Sequence, residues 1–324
     1  MAGPSLTVLR RKYESLTTSP KKSLFASLVR AIRRDRYLYL MFLPVFAYYI
    51  TFHYAPMYGV TLAFRDFRIR EGIFGGPWVG LKYFRQFFTN PYFWVLLRNT
   101  VYLRLYQLAV TFPAPIILAL LLNELRNEKF KRVVQTCSYL PYFISTMVVA
   151  GMISNFLATD GLINSLLSTL GVTPRPWLLM PEWFRTIIVA SDVWQAVGWS
   201  SIIYLAALSA INLELYEAAA MDGANRWQRM RYVTIPGITP TATILFLLAL
   251  GSIVSVGFQK ILLLYTGATY ETADVLGTYI YRRGIEGADF SFATAVGFFQ
   301  SVVGLVFIVG ANALAKKVGD TSLW

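Results

Sequence analysis

Residues 217–236 read EAAAMDGANRWQRMRYVTIP. This is a polar segment with an apolar run on either side, residues 186–210 before it and 241–264 after it. Glutamate, three alanines and methionine, then tryptophan, glutamine and arginine, are helix formers. Gly223 interrupts them, at a cost of about 1 kcal/mol in a helix interior, unless it marks a bend or lets another backbone come close. A residue before proline is pushed out of helical geometry, so Ile235-Pro236 is expected to close the unit. The expectation is a short helix, a turn and a second short helix leading into the next apolar run. The same pattern on its own also fits an ordinary amphipathic connector.

The flanking runs decide the fold class. The chain has 324 residues, 56% hydrophobic and 15% charged, where a soluble domain carries about 25% charged residues. A membrane-spanning helix needs about 20 mostly apolar residues. Six segments meet that length: residues 37–63, 93–122, 133–157, 186–210, 241–264 and 292–315. Lipid leaves backbone groups no water to bond, so these spans are expected to be helices; the alternation of a barrel strand is absent. The reading is an all-α membrane protein with six transmembrane helices. Residues 1–36 form a basic leader, 37–63 the first span and 64–92 a loop. Residues 93–315 form a core of five spans, and 316–324 a tail. Pro44 and Pro56 are expected to kink or end the first span.

Charge orients the spans. There are 30 basic and 17 acidic residues, a balance that in a soluble chain suggests nucleic acid. In a membrane protein basic residues gather in cytoplasmic loops. With the first 36 residues inside, the inner segments hold 18 basic residues and the outer loops 9. Both termini, and residues 217–236, are then cytoplasmic. Leu24, Leu28 and Ile32 recur at helical spacing among the leader's basic residues, which suits either a helix on the inner leaflet or a solvated tail. A cleaved signal peptide is not expected, because no small-residue site closes the first apolar run. One cysteine, Cys137, excludes an internal disulfide, and one histidine, His53, excludes a histidine-cluster metal site.

The polar segment carries a resemblance. Glu217, Ala218 and Ala219, then Gly223, then Val233-Thr234-Ile235-Pro236, resemble the EAA loop of permease subunits in binding-protein-dependent (type I) ABC importers. The first span and LPYFIST at residues 140–146 resemble the maltose-permease-like carbohydrate class, and within it the importers of oligosaccharides from complex polysaccharides such as alginate. The likeness covers residues 37–315, with Ile235 where leucine is usual and Met230 where phenylalanine is common. It implies a bacterial inner-membrane subunit paired with a homologous second permease, two cytoplasmic ATPase subunits and an extracytoplasmic solute-binding protein. It also implies that Glu217, Ala218, Ala219, Asp222, Gly223, Ala224 and Pro236 form an ATPase-coupling element. ATP and magnesium then belong to the ATPase partner. No Walker A sequence occurs in this chain, so it binds neither cofactor itself, and no catalytic dyad is visible.

Substrate residues are sought among polar groups inside spans, where burial is costly. Asp192, Gln195 and Trp199 share one helical stripe. Trp199 offers a face for a sugar's C–H groups and Gln195 an amide for its hydroxyls; equally, Asp192 and Gln195 serve to bridge helices. The resemblance places sugar contacts at this level and at residues 252–256, which adds Ser252 and Ser255. Arg104, Lys260 and Arg98, with the basic first outer loop (Arg65, Arg68, Arg70, Lys82 and Arg85), favour an anionic substrate such as a uronate oligosaccharide, although Arg98 and Lys260 are expected rather to reach for an interface. The acidic last outer loop, with Glu271, Asp274, Glu286 and Asp289, is a candidate contact for the binding protein. The row Ala293, Gly297, Ser301 suits close helix contact, either within the chain or at a dimer face. Two other classes stay open: an ion-coupled secondary carrier, for which Asp192 is the one convincing intramembrane carboxylate, and an intramembrane enzyme, which lacks a catalytic pair.

Overall fold

The computed structural model describes residues 34–251 and 257–318. The leader's apolar face at Leu24, Leu28 and Ile32, both serines of the 252–256 segment and the end of the tail lie outside the described residues. The chain divides into two units, residues 1–59 and 60–324. In the first, helix α1 (Arg36–Tyr49) holds Pro44 in its interior and passes into a π turn at Ile50–Tyr54. Pro56 follows two residues later.

Among its described residues the second unit is built of helices and their connecting loops, with one isolated bridge, Arg65 to Trp78. In order come α2 (Lys82–Phe88), α3 (Phe93–Thr111), α4 (Pro113–Glu124), α5 (Glu128–Tyr139), α6 (Thr146–Phe156), α7 (Leu162–Thr169) and α8 (Pro181–Ser209). There follow α9 (Leu213–Met221), α10 (Arg226–Arg229), α11 (Ile235–Gly251), α12 (Phe258–Leu264), α13 (Tyr270–Ala273), α14 (Leu276–Tyr281) and α15 (Phe290–Val318). Among the described residues five helical stretches are long and apolar enough to span a membrane, or six if a bent pair counts as one.

That bent pair corrects the third span. Residues 133–157 are not one rod: Glu128–Phe143 and Thr146–Phe156 meet at 102°. The cause is local. Pro141 sits in a 3-10 turn, Leu140–Phe143, and Ile144 and Ser145 are extended. Ser145 then starts α6 by accepting a bond from the Val148 amide.

The fifth span also differs. Its helix runs from Arg226 to Leu250, so it begins within the polar segment and ends before residue 264. Ile235-Pro236 does not close the unit. The helix widens to a π turn at Met230–Thr234, which takes in Tyr232, the residue whose carbonyl the Pro236 ring would otherwise strike. The π turn ahead of Pro56 takes in Phe52 in the same way.

Three apolar clusters hold the second unit together. Tyr83 and Phe87 of α2, Leu96 of α3, Leu276 of α14 and Phe292 and Val296 of α15 form one. Leu103, Ala150, Phe184, Ile188, Ile261 and Val275 join α3, α6, α8 and α12. Ala119, Tyr204, Leu208 and Ile238 join α4, α8 and α11. Where α8 crosses α5, Gly198 is pressed against the backbone of Ser138, and a Cβ there would run into the Ser138 carbonyl. Gly198→Ala is therefore expected to destabilise by about 1–3 kcal/mol, read as a lower thermal midpoint of the purified complex. An unchanged midpoint would show that this crossing gives way freely.

The loops on the side of α2 are tied down by polar bonds. Asp274 is fully buried and accepts from Arg282, from Thr278 and from the Tyr92 hydroxyl. Arg185 bonds the Asn99 side chain and the Thr272 carbonyl. Asp289 pairs with Arg283 at 2.9 Å. Two of the four acids proposed for a binding-protein contact are thus committed internally, and only Glu271 and Glu286 are exposed. The Tyr83 hydroxyl donates to Asp66 at 2.6 Å. That bond holds the Asp66 carboxyl below its usual range, while burial and the same bond push the Tyr83 hydroxyl up to about 12. The small-residue row on α15 works within the chain at its first two members: Ala293 packs against Gly284, and Gly297 faces Ile280.

Candidate functional site

The polar hairpin and a cavity among the spans are separate places. In the hairpin, Asn212 caps α9 by accepting from the Glu214 amide at 3.0 Å. Helix α9 ends in a Schellman arrangement, Ala224 N–H to the Ala219 carbonyl and Gly223 N–H to the Ala220 carbonyl. Gly223 is the left-handed residue of that cap, with φ +76°. It terminates the helix and does not interrupt one. Asn225 and Gln228 then form a reciprocal capping box for α10, at 2.9 and 2.8 Å. The Tyr216 hydroxyl donates to Thr234 at 3.0 Å, and Ile211 fills the space over Gly237, so the two arms are closed at their base. Glu217, Ala218, Asp222, Gly223 and Pro236 are exposed, while Ala219 and Ala224 are half-buried. The tip also exposes large apolar groups: Met221 is 89% and Trp227 71% accessible.

The cavity, about 660 Å³, is lined by α3, the bend between α5 and α6, and α8. Arg104, Gln107 and Thr111 come from α3, residues 142–146 from the bend, and Asp192 and Gln195 from α8. A second cavity of about 460 Å³ shares Arg104, Thr111, Pro115 and Ser200 and adds Trp199. Arg104 therefore stands between the two.

Lys260 does not reach for an interface. It is buried and ion-paired with Asp192 at 2.6 Å. The second Asp192 oxygen accepts from the Gln107 amide at 2.8 Å. An intramembrane carboxylate so neutralised is a strut between α3, α8 and α12. Arg98 is exposed.

Gln195 donates its amide to the Ile144 carbonyl at 2.9 Å. That carbonyl is one the bend leaves outside any helix, so Gln195 satisfies a group that would otherwise be costly in the membrane. Trp199 lies parallel to Tyr142 at 4.8 Å, with Phe143 edge-on at 5.5 Å. One face of the indole is already covered. The helix-bridging use of Asp192 and Gln195 is thus what the geometry displays, and Trp199 is a packing partner of the bend.

The structure brings Arg104, Asp192, Gln195, Trp199 and Lys260 together; Ser252 and Ser255 lie outside the described residues. Gln107 and Tyr142 were not legible as site residues beforehand. For Gln107 a signal existed: it stands three residues after Arg104 and four before Thr111, one stripe of a helix. For Tyr142 there was none, because its stacking depends on the bend. Among the described residues no group of three or more histidine, cysteine or acidic side chains is placed to hold a metal.

The model of the binding-protein-dependent transport system inner membrane component matches residues 111–320. The chain belongs to that family. The permease is 43% identical, over 94% of its length and 95% of the other, to the polygalacturonan/rhamnogalacturonan transport system permease protein YteP of Bacillus subtilis (strain 168). It is 42% identical to protein LplB of the same organism, over 92% of this chain and 94% of that one. Among solved structures it is similar to a chain of a bacterial ABC transporter involved in the import of the acidic polysaccharide alginate. The TM-score is 0.85 at 42% identity, covering 91% of the permease and all of that chain. A second structure shows a bacterial alginate ABC transporter with an alginate pentasaccharide-bound periplasmic protein, with TM-score 0.84, 41% identity, and coverage of 91% and 99%. The permease is accordingly an inner-membrane, multi-pass transport subunit.

Proposed function

We propose that this permease forms half of the translocation path of an ATP-driven importer for acidic oligosaccharides. The observation that carries the charge preference is Arg104. It lines both cavities, and one of its terminal nitrogens donates to the Ala249 carbonyl at 3.4 Å. A guanidinium presents paired donors suited to a carboxylate. The named relatives, one for polygalacturonan/rhamnogalacturonan and one for alginate, handle acidic polymers, which supports the same reading. The partners are a homologous permease, two ATPase subunits that hold ATP and magnesium, and an extracytoplasmic solute-binding protein. Both termini and the hairpin face the cytoplasm.

The hairpin's closed base, capped helices and exposed Met221 and Trp227 suit a rigid key seated in an ATPase cleft. ATP-driven closure of the ATPases then moves the hairpin. Because α10 runs without a break into α11, that motion passes directly to a wall of the second cavity, where Leu245 and Ala249 lie. The spans rock, and the path opens to alternate sides.

Arg104→Gln tests the charge preference. With the cognate binding protein delivering either substrate, stimulation of ATP hydrolysis by uronate oligosaccharides is expected to fall about tenfold, from the loss of a charge-assisted pair. Stimulation by neutral oligosaccharides, where any occurs, is expected to change little. Equal loss for both classes would remove Arg104 from substrate selection and leave the acidic reading without its residue.

A further inference from the structure

Helix α2 carries a feature apart from both cavities. Along one side of it runs a groove of about 890 Å³, to which Leu81, Lys82, Phe84, Arg85, Gln86 and Phe88 contribute. Leu81, Phe84 and Phe88 supply the apolar wall, and Leu81 remains 66% exposed. Lys82 and Arg85 are exposed, and neither forms an ion pair among the described residues. No acidic side chain lines the groove. The nearby Asp66 carboxylate accepts from the Tyr83 hydroxyl and also attracts Lys82, so Arg85 is the cation of the groove with no carboxylate acting on it among the described residues.

The position of α2 relates this groove to the bilayer. Phe84 touches Phe298 at 6.0 Å, and Phe88 touches Phe299 at 5.3 Å. Residue 299 lies nine positions into the final span, about 13 Å along it at the rise of a helix. Helix α2 therefore lies beside the first half of that span, with Phe87 against Phe292 and the neighbouring Arg65 carbonyl bonded by Ser291 at its start. Trp78 and Trp94, 62% and 70% exposed, flank it in sequence as the aromatic residues of a membrane interface do. Two cations over an apolar wall at that level match a phosphodiester above an acyl chain.

We propose that the α2 groove binds an anionic phospholipid. Lys82 and Arg85 hold its phosphate, Gln86 donates a third bond, and Leu81 and Phe88 flank its first methylenes. A zwitterionic lipid brings its own cation to the same two positive side chains and binds more weakly.

The test uses the assembled transporter in nanodiscs of equal phosphatidylglycerol and phosphatidylcholine, followed by counting of the lipids retained in detergent. The wild type is expected to retain phosphatidylglycerol about tenfold over phosphatidylcholine, from two cations near the surface. The Lys82→Gln/Arg85→Gln double variant is expected to fall to near parity, and Lys82→Arg to keep the preference. Brominated phosphatidylglycerol is expected to quench tryptophan fluorescence more in the wild type than in the double variant. Should the double variant not assemble, the wild type in 1 M salt serves in its place and is expected to lose most of the preference. Parity in the wild type, an unchanged preference in the double variant or in high salt, or displacement of the lipid by millimolar inorganic phosphate would overturn the proposal. So would cross-linking of Arg85→Cys to the second permease, which would make the groove a protein contact.

Discussion

Gly223→Pro is expected to abolish substrate-stimulated ATP hydrolysis in the assembled transporter while leaving membrane insertion intact. The reason is conformational. Gly223 has φ +76°, and proline is held near −65°. No neighbour lies where a Cβ would stand, so bulk is not the difficulty and substitutions should rank by backbone preference alone. Asparagine, which tolerates the left-handed region, is expected to cost least. Alanine is expected to cost about 1 kcal/mol, and valine more. Loss of the turn would break the bonds that the carbonyls of Ala219 and Ala220 accept and re-aim α10, whose capping box begins two residues later. Because α10 and α11 are one continuous helix, the displacement reaches the spans. Normal stimulation in Gly223→Pro would sink the coupling role of the hairpin. Equal losses in the asparagine and valine variants would sink the conformational account.

The second large effect belongs to the Asp192–Lys260 pair. The Lys260 side chain is 7% exposed and the Asp192 side chain 29%. Asp192→Leu leaves a buried ammonium without its counter-charge, and the expected loss is about 2–4 kcal/mol, with the upper end reduced because the Asp192 side chain is partly exposed. Lys260→Met is expected to cost less, since Gln107 still serves Asp192. The double variant Asp192→Leu/Lys260→Met is expected to recover much of the loss, because neither charge is then stranded. Thermal unfolding of the four proteins closes the cycle. Losses that simply add would mean the two side chains act independently, and the pair would not be the strut between α8 and α12.

The contrast between these residues shows where sequence suffices. The six apolar runs, the polar segment between the last pairs of spans and its glycine could all be read from composition and spacing, because a span's length and a helix's period are local properties. The start of the fifth span could not. Ile235-Pro236 reads as a break by the usual preference before proline, yet a widened turn at Met230–Thr234 removes the clash and the helix continues. Nor could the bend at residues 140–145 be separated from a straight span by hydropathy, since both are equally apolar.

Sequence alone determined that this chain is an all-α membrane protein of about six spans, with a polar helix pair whose residues resemble a coupling loop. It also supplied Asp192, Gln195, Trp199, Arg104 and Lys260 as polar or aromatic groups in spans. Their tasks were decided by tertiary structure. Lys260 and Asp192 are 68 positions apart and Gln195 and Ile144 are 51 apart. Whether such a pair meets depends on how helices cross, and that rests on close contacts such as Gly198 on Ser138. Hydropathy measures how much a residue avoids water and carries no information about which distant residue it will find.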